Sequence, residues 1–357
     1  MATPLFADAA SKLNAADKLD AAAGPLEKAC SDGRIRAAAL HVRHGKTEYA
    51  KNYGDSKSAD DPFLLASITK TLAAAAVMTL YDQGRFQLDD AVKKFIPEFA
   101  GDGRERITIR QLLSHVSGLP DQLPENNALR KRHAKLGDFV AGAIRTPLLF
   151  EPGARYSYSS MGILLATEIA MRISGIGIIE LVNKSVIQPL GMKHAALGLG
   201  PFKLKEVILN QVEHAAPESG AGDPTTKDWN WNSPFWRNLG APWGGAHASA
   251  ADVARFLAEF LHPQGKILKP ETARLMISNQ NREGLTPRGL GFDIGTKAGG
   301  KRSSPKTFGH SGSTGTLCWA DPTTDTICVV LTTLPLRAIN PHPARITSDR
   351  ISEAVTA

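Results

Sequence analysis

The sequence predicts an α+β fold, with one antiparallel sheet drawn from both ends of the chain and a mainly helical region inserted between them. Three observations predict it. Short strand-type runs cluster near the two termini, the middle is dominated by apolar-periodic helical segments, and no repeat or low-complexity linker divides the chain. The 357 residues are therefore expected to form one unit, an α/β part spanning about 25–90 plus 285–357 and a helical part spanning about 91–284.

Residues 26–30 end a first helix, after which Ala37 to Val42 reads as a buried strand. The turn His44-Gly45-Lys46 and the run Thr47 to Tyr53 complete a hairpin. From Ser67 to Gln83 the pattern is helical and alanine-rich, without internal glycine or proline, and it stops at Gly84. Further helices are predicted over 136–144, 159–174 and 178–187, the last stopped by Pro189. Ser249-x-x-Asp252 reads as a capping box opening a helix to Leu261. Strands are predicted over 289–294, 307–310, 314–320 and 326–332, with Asp321 to Asp325 as a hairpin loop. Residues 346–355 close the chain as a short helix.

Composition narrows the function. The net charge is +7, yet the only dense basic cluster, Arg130 to Lys135, contains no aromatic residue and no nucleic-acid-binding motif accompanies it. It is read as a solvated face, and nucleic acid is not expected as a partner. Cys30, Cys318 and Cys328 show no metal or disulfide spacing; Cys318 and Cys328 fall on one predicted hairpin. The N-terminus, Met1 to Asp8, lacks a basic start followed by an apolar stretch, and the most apolar run, Leu72 to Leu80, is too short to span a bilayer. A cytoplasmic protein without membrane contact is the expectation. Oligomeric state leaves no mark in the sequence.

There is no G-x-S-x-G elbow, H-E-x-x-H, Walker loop or G-x-G-x-x-G after a strand, and the ten histidines lack zinc-ligand spacing. What remains is S-x-x-K, present at Ser67-Ile68-Thr69-Lys70 and at Ser303-Ser304-Pro305-Lys306. The second lies in a Gly/Pro-containing loop that leaves serine and lysine unfixed. The first opens a strong helix, where residues three apart share a face. The helix start and burial both disfavour a protonated amine, so Lys70 would accept the Ser67 proton. By itself the pair also fits a helix-capping serine beside a solvated lysine.

The segment Phe63-Leu64-Leu65-Ala66-Ser67-Ile68-Thr69-Lys70 resembles the nucleophile segment of the serine β-lactamase and penicillin-binding-protein superfamily, in particular class C β-lactamases, family VIII carboxylesterases and D-aminopeptidases. Residues 84–90, 95–99 and 109–120 resemble the segments that follow it there. The resemblance implies a β-lactamase/transpeptidase-like fold with Ser67 as nucleophile and Gln122 as a substrate-binding amide. His115 is expected to support backbone. Pro152 to Gly162 resembles the superfamily's Y-x-N element, which places the tyrosine at Tyr158 rather than Tyr156 and sets Ser160 where relatives carry asparagine. Phe308 to Gly315 resembles its K-T-G element in the H-x-G form, with His310 lining the site as a hydrogen-bond donor. Gly312 would let substrate approach the strand edge. The backbone N–H groups of Ser67 and Ser313 would form the oxyanion hole. The resemblance covers nearly the whole chain, from about residue 25 onward.

The implied chemistry is acyl transfer to water through an acyl-enzyme on Ser67, with Lys70 and Tyr158 moving the proton and no metal or organic cofactor. A small-molecule ester or amide is the expected substrate. Carboxylester cleavage leads, because the missing asparagine at 160 and the histidine at 310 weaken a β-lactamase or D-peptidase, and an intact Ser67, Lys70 and Tyr158 argue against a non-catalytic binding protein. Four tryptophans fall between 229 and 243. Trp236 and Trp243 are read either as an aromatic wall over an apolar acyl group or as loop packing.

Overall fold

The computed structural model describes residues 15–356; Met1 to Asp8, on which the expectation about a leader rests, lie outside the described residues. In chain order the elements are helix α1 (Ala15–Ser31), strands β1 (Ala37–His44), β2 (Thr47–Gly54) and β3 (Phe63–Leu64), then helices α2 (Thr69–Asp82), α3 (Ile109–Leu113), α4 (Asn126–Lys131), α5 (Leu136–Arg145), α6 (Ser160–Ser174) and α7 (Ile178–Val182). Strand β4 (Ala195–Leu197), α8 (Pro234–Leu239), β5 (Ala246–Ala248), α9 (Ala250–Leu261) and α10 (Pro270–Met276) follow, before β6 (Asp293–Ile294), β7 (Phe308–Gly312), β8 (Thr316–Asp321), β9 (Thr326–Thr332) and α11 (Pro343–Thr356).

The main sheet runs β2-β1-β9-β8-β7-β6, antiparallel throughout, so both chain ends do supply it. Alternation along each strand sends side chains to opposite faces. Ala38, Leu40, Val42, Leu317, Trp319, Cys328 and Val330 pack with α1 and α11 on one side. Ala37, Ala39, Cys318, Ala320, Ile327, Val329 and Leu331 join the larger core on the other, which includes α2, α6 and α9. Because β9 is buried on both faces, it reads as a continuous apolar run rather than an alternating one. Cys318 and Cys328 accordingly face opposite sides of their hairpin, both buried and free.

Several local expectations change. Strand 289–294 shrinks to Asp293–Ile294, because Gly291 turns the chain at φ 81°. A second, three-stranded sheet, β3-β5-β4, is formed by segments too short to show a period in the sequence. The Ser249 cap is one-sided: its hydroxyl accepts the Asp252 N–H, but Asp252 turns to the His194 N–H at 2.6 Å. The box spacing was present, and a tertiary donor captured the carboxylate. No single helix among the described residues is long and apolar enough to cross a membrane.

Candidate active site

Ser67 sits in a 3-10 turn, Ala66–Ile68, immediately ahead of α2 rather than inside it. The preceding residue, Ala66, holds φ 47°, a left-handed conformation unfavourable for a residue with a Cβ. Surrounding bonds enforce it. Leu65 N–H donates to Ala246 O at 2.8 Å, Thr314 Oγ1 donates to Leu64 O and Thr316 Oγ1 to Leu65 O, each at 2.9 Å, and Ala246 N–H donates to Thr69 Oγ1 at 3.0 Å. The C-terminal strands thus clamp the turn that carries the serine.

Gly312 is where β7 and this turn meet. A Cβ there would lie 2.3 Å from Leu65 O and 2.3 Å from Thr316 Oγ1. Both are closer than any real contact, so the strand would be pushed off the nucleophile turn. Gly312→Ala is expected to slow covalent labelling of Ser67 by at least about tenfold, since roughly 1 Å of misplacement is that damaging; an unchanged labelling rate would show the contact to be yielding.

Lys70 projects from the first turn of α2, and its Nζ lies 3.0 Å from Ser67 Oγ and 2.8 Å from Trp243 O. The carbonyl fixes the amine against the hydroxyl. The side chain is fully buried, and burial pulls its pKa down to about 7, opposed by the Asp121 charge and aided by Arg288. Tyr158 comes from the segment preceding α6, its ring 4.8 Å from Lys70 Nζ. Its hydroxyl is buried without a formed hydrogen bond. Burial pushes the phenol up, while Arg288 and the facing Ser67 hydroxyl pull it back. The turn before α2, the first turn of α2 and the segment before α6 therefore bring Ser67, Lys70 and Tyr158 together.

His115 holds φ 62° and accepts the Ser159 N–H through Nδ1 at 3.2 Å, with its ring 4.7 Å from that of Tyr158. It props the tyrosine segment. Tyr156 lies farther out, 6.1 Å from the same imidazole.

His310 departs from expectation. Its Nδ1 donates to Ser311 O at 2.7 Å, and its Nε2 accepts from Arg288 at 2.7 Å. Both nitrogens are committed, so the ring is not a free donor to substrate. Burial, then the Arg288 charge, hold its pKa well below the ordinary histidine value and keep it neutral. Arg288, itself paired with Asp293, is the cation at this position, and it lies 5.6 Å from the Tyr158 ring. No sequence signal marked it.

A cavity of about 150 Å³ opens at Ser67. It is lined by Lys70, Tyr158, Gln122, Ser160, Trp236, Trp243, Gly244 and Ser313, and also by Asp121, Arg130, Glu218 and Trp231, which sequence reasoning missed. Asp121 Oδ1 accepts from both the N–H of Ser160, at 3.0 Å, and its hydroxyl, at 2.5 Å. Its place beside Gln122 was the available signal. Gln122 Oε1 is buried without a partner. Arg130 corrects the reading of the basic cluster: its neighbours Lys131, Arg132 and His133 are exposed, but Arg130 is buried and reaches the cavity. The second S-x-x-K is a turn in which Lys306 is exposed. A larger groove of about 770 Å³, between α7 and β4, contains none of these groups. Among the described residues, no cluster of three or more His, Cys, Asp or Glu is placed to hold a metal.

Fold and site together define a serine hydrolase of the β-lactamase/transpeptidase class. The Beta-lactamase family model matches residues 14–344, and the chain belongs to that family. It is similar to an Escherichia coli (strain K12) protein provisionally named a D-alanyl-D-alanine carboxypeptidase, with 26% identity over 338 residues, covering 83% of this chain and 77% of that protein. Among solved structures, the D-amino acid amidase of Ochrobactrum anthropi SV3 superposes with a TM-score of 0.76 at 23% identity, over 95% of this chain and 99% of that one. EstA of Arthrobacter nitroguajacolicus Rue61a does so with a TM-score of 0.73 at 21% identity, over 96% and 97%. These two likenesses establish the fold.

Proposed function

We propose that the protein is a carboxylesterase for small to medium acyl esters, working through an acyl-enzyme on Ser67. The observation that carries this reading is the 3.0 Å contact between Ser67 Oγ and an amine whose burial leaves it substantially neutral near pH 7. Lys70 takes the serine proton as Oγ attacks the carbonyl carbon. The N–H groups of Ser67 and Ser313, two residues that line the same cavity, receive the developing oxyanion. Tyr158 gives its phenolic proton to the leaving oxygen and takes in exchange the proton held by Lys70, and water releases the acyl group by the reverse proton path. The scheme calls for no metal or organic cofactor. His310 and Arg288 position the tyrosine side of the site instead of touching substrate.

Ester over amide is supported at Ser160. An amide-bearing substrate gains from a side-chain amide at this position, whereas the Ser160 hydroxyl is already spent on Asp121. With 4-nitrophenyl butyrate and a chromogenic cephalosporin assayed in parallel, ester turnover is expected to exceed cephalosporin turnover by at least about 100-fold, since buried groups left unpaired discriminate by that order or more. Cephalosporin turnover above ester turnover would overturn the esterase assignment and leave the nucleophile in place.

A further inference from the structure

The cavity beside Ser67 contains a charge that the chemistry above leaves unemployed. Arg130 is 1% exposed. Its Nε donates to Asn126 Oδ1 at 3.3 Å and a terminal nitrogen donates to Ser219 Oγ at 3.4 Å, both long bonds to neutral oxygens. The guanidinium lies 3.8 Å from the centroid of the Trp236 ring. Glu218 borders the same cavity and steadies the charge from a distance without forming an ion pair. Burial pulls the guanidinium down to about 9, so the site is costly for a cation as it stands. The indole N–H groups of Trp236 and Trp243 are likewise buried without acceptors, so this wall has donors in excess.

A buried guanidinium is stabilised by a bidentate carboxylate, and among the described residues none supplies one within ion-pair distance of Arg130. We infer that Arg130 is a specificity-determining residue which seats a carboxylate carried by the substrate beside the scissile carbonyl. The inference rests on the acyl-enzyme reading of Ser67. It also changes the role of Trp236. The ring is a platform under a cation, not a wall for an alkyl chain. Glu218 bounds the effect from the other side, since its charge repels an incoming carboxylate.

The test compares isosteric esters with and without the charge. On the acyl side the pair is the 4-nitrophenyl monoester of adipic acid and its methyl adipate counterpart. On the leaving-group side it is the butyryl ester of 4-hydroxybenzoic acid and that of its methyl ester. The wild-type protein is expected to favour the charged member of one pair by about tenfold or more in kcat/KM, the scale of a charge-assisted hydrogen bond, and that pair identifies which side carries the carboxylate. Arg130→Gln should collapse this ratio, and Glu218→Gln, at a partly exposed residue, should raise it. Equal or better use of the neutral member in both pairs would overturn the inference and leave the esterase reading standing, as would a ratio that survives Arg130→Gln. If Arg130→Gln does not fold, the wild-type ratio and the Glu218→Gln shift decide. If no ester is cleaved, protection of Ser67 from a fluorophosphonate by monomethyl adipate, but not by dimethyl adipate, sustains the anion site while the esterase reading falls. Absence of protection removes both.

Discussion

Ser67→Ala is expected to abolish fluorophosphonate labelling and to lower kcat/KM for 4-nitrophenyl butyrate by about 10⁴-fold or more, the cost of removing a nucleophile from a covalent mechanism. The fold should survive. The Ser67 hydroxyl contacts Lys70, whose amine keeps its bond to Trp243 O when the hydroxyl is lost, so the thermal midpoint should move by less than about 5 °C. The measurement is mass-spectrometric location of the phosphonate together with steady-state kinetics. Label that persists in Ser67→Ala would place the nucleophile elsewhere and end the acyl-enzyme reading.

Lys70→Met should lower kcat/KM by roughly 10²- to 10⁴-fold, the range for a lost general base, and should also change the pH profile. In the wild type the neutral amine is the competent form. Because burial lowers its pKa to about 7, kcat/KM should fall as the pH drops through about 7, where the amine takes a proton, and level off above. The two histidines near the site are poor alternative sources of that limb. Burial holds both His115 and His310 well below the ordinary histidine value, so they remain neutral through this window. In Lys70→Met the residual rate should be flat from pH 6 to 8. Persistence of the same limb in the variant would assign the titration to another group.

The Ser67–Lys70 pair was legible because it is local. Two residues spaced three apart at a helix start share a face in any fold, and the alanine-rich run after them makes the helix plain. The tyrosine assignment depended on likeness to other chains, since nothing in the residues around Tyr158 announces a partner so far away in sequence. His310 shows the limit of that method. A motif specifies which residue stands on a strand, but a hydrogen-bond direction depends on what faces it, and Arg288 arrives from a loop without any pattern. Arg130 shows the same limit for charge, because a run of four cations within six residues gives no sign that the first is turned inward.

By its own periods and spacings, the chain determined an antiparallel sheet drawn from its two ends, a helical middle, and a hydroxyl and an amine on one helical turn. These follow from short-range geometry, which repeats every two or 3.6 residues and needs no distant partner. Only the tertiary structure decided that Lys70 is dry, that Tyr158 faces it, that His310 is occupied and that Arg130 lines the cavity. Burial and pairing are properties of what the rest of the chain packs against a residue, and the same lysine or arginine is solvated in one packing and reactive or receptive in another.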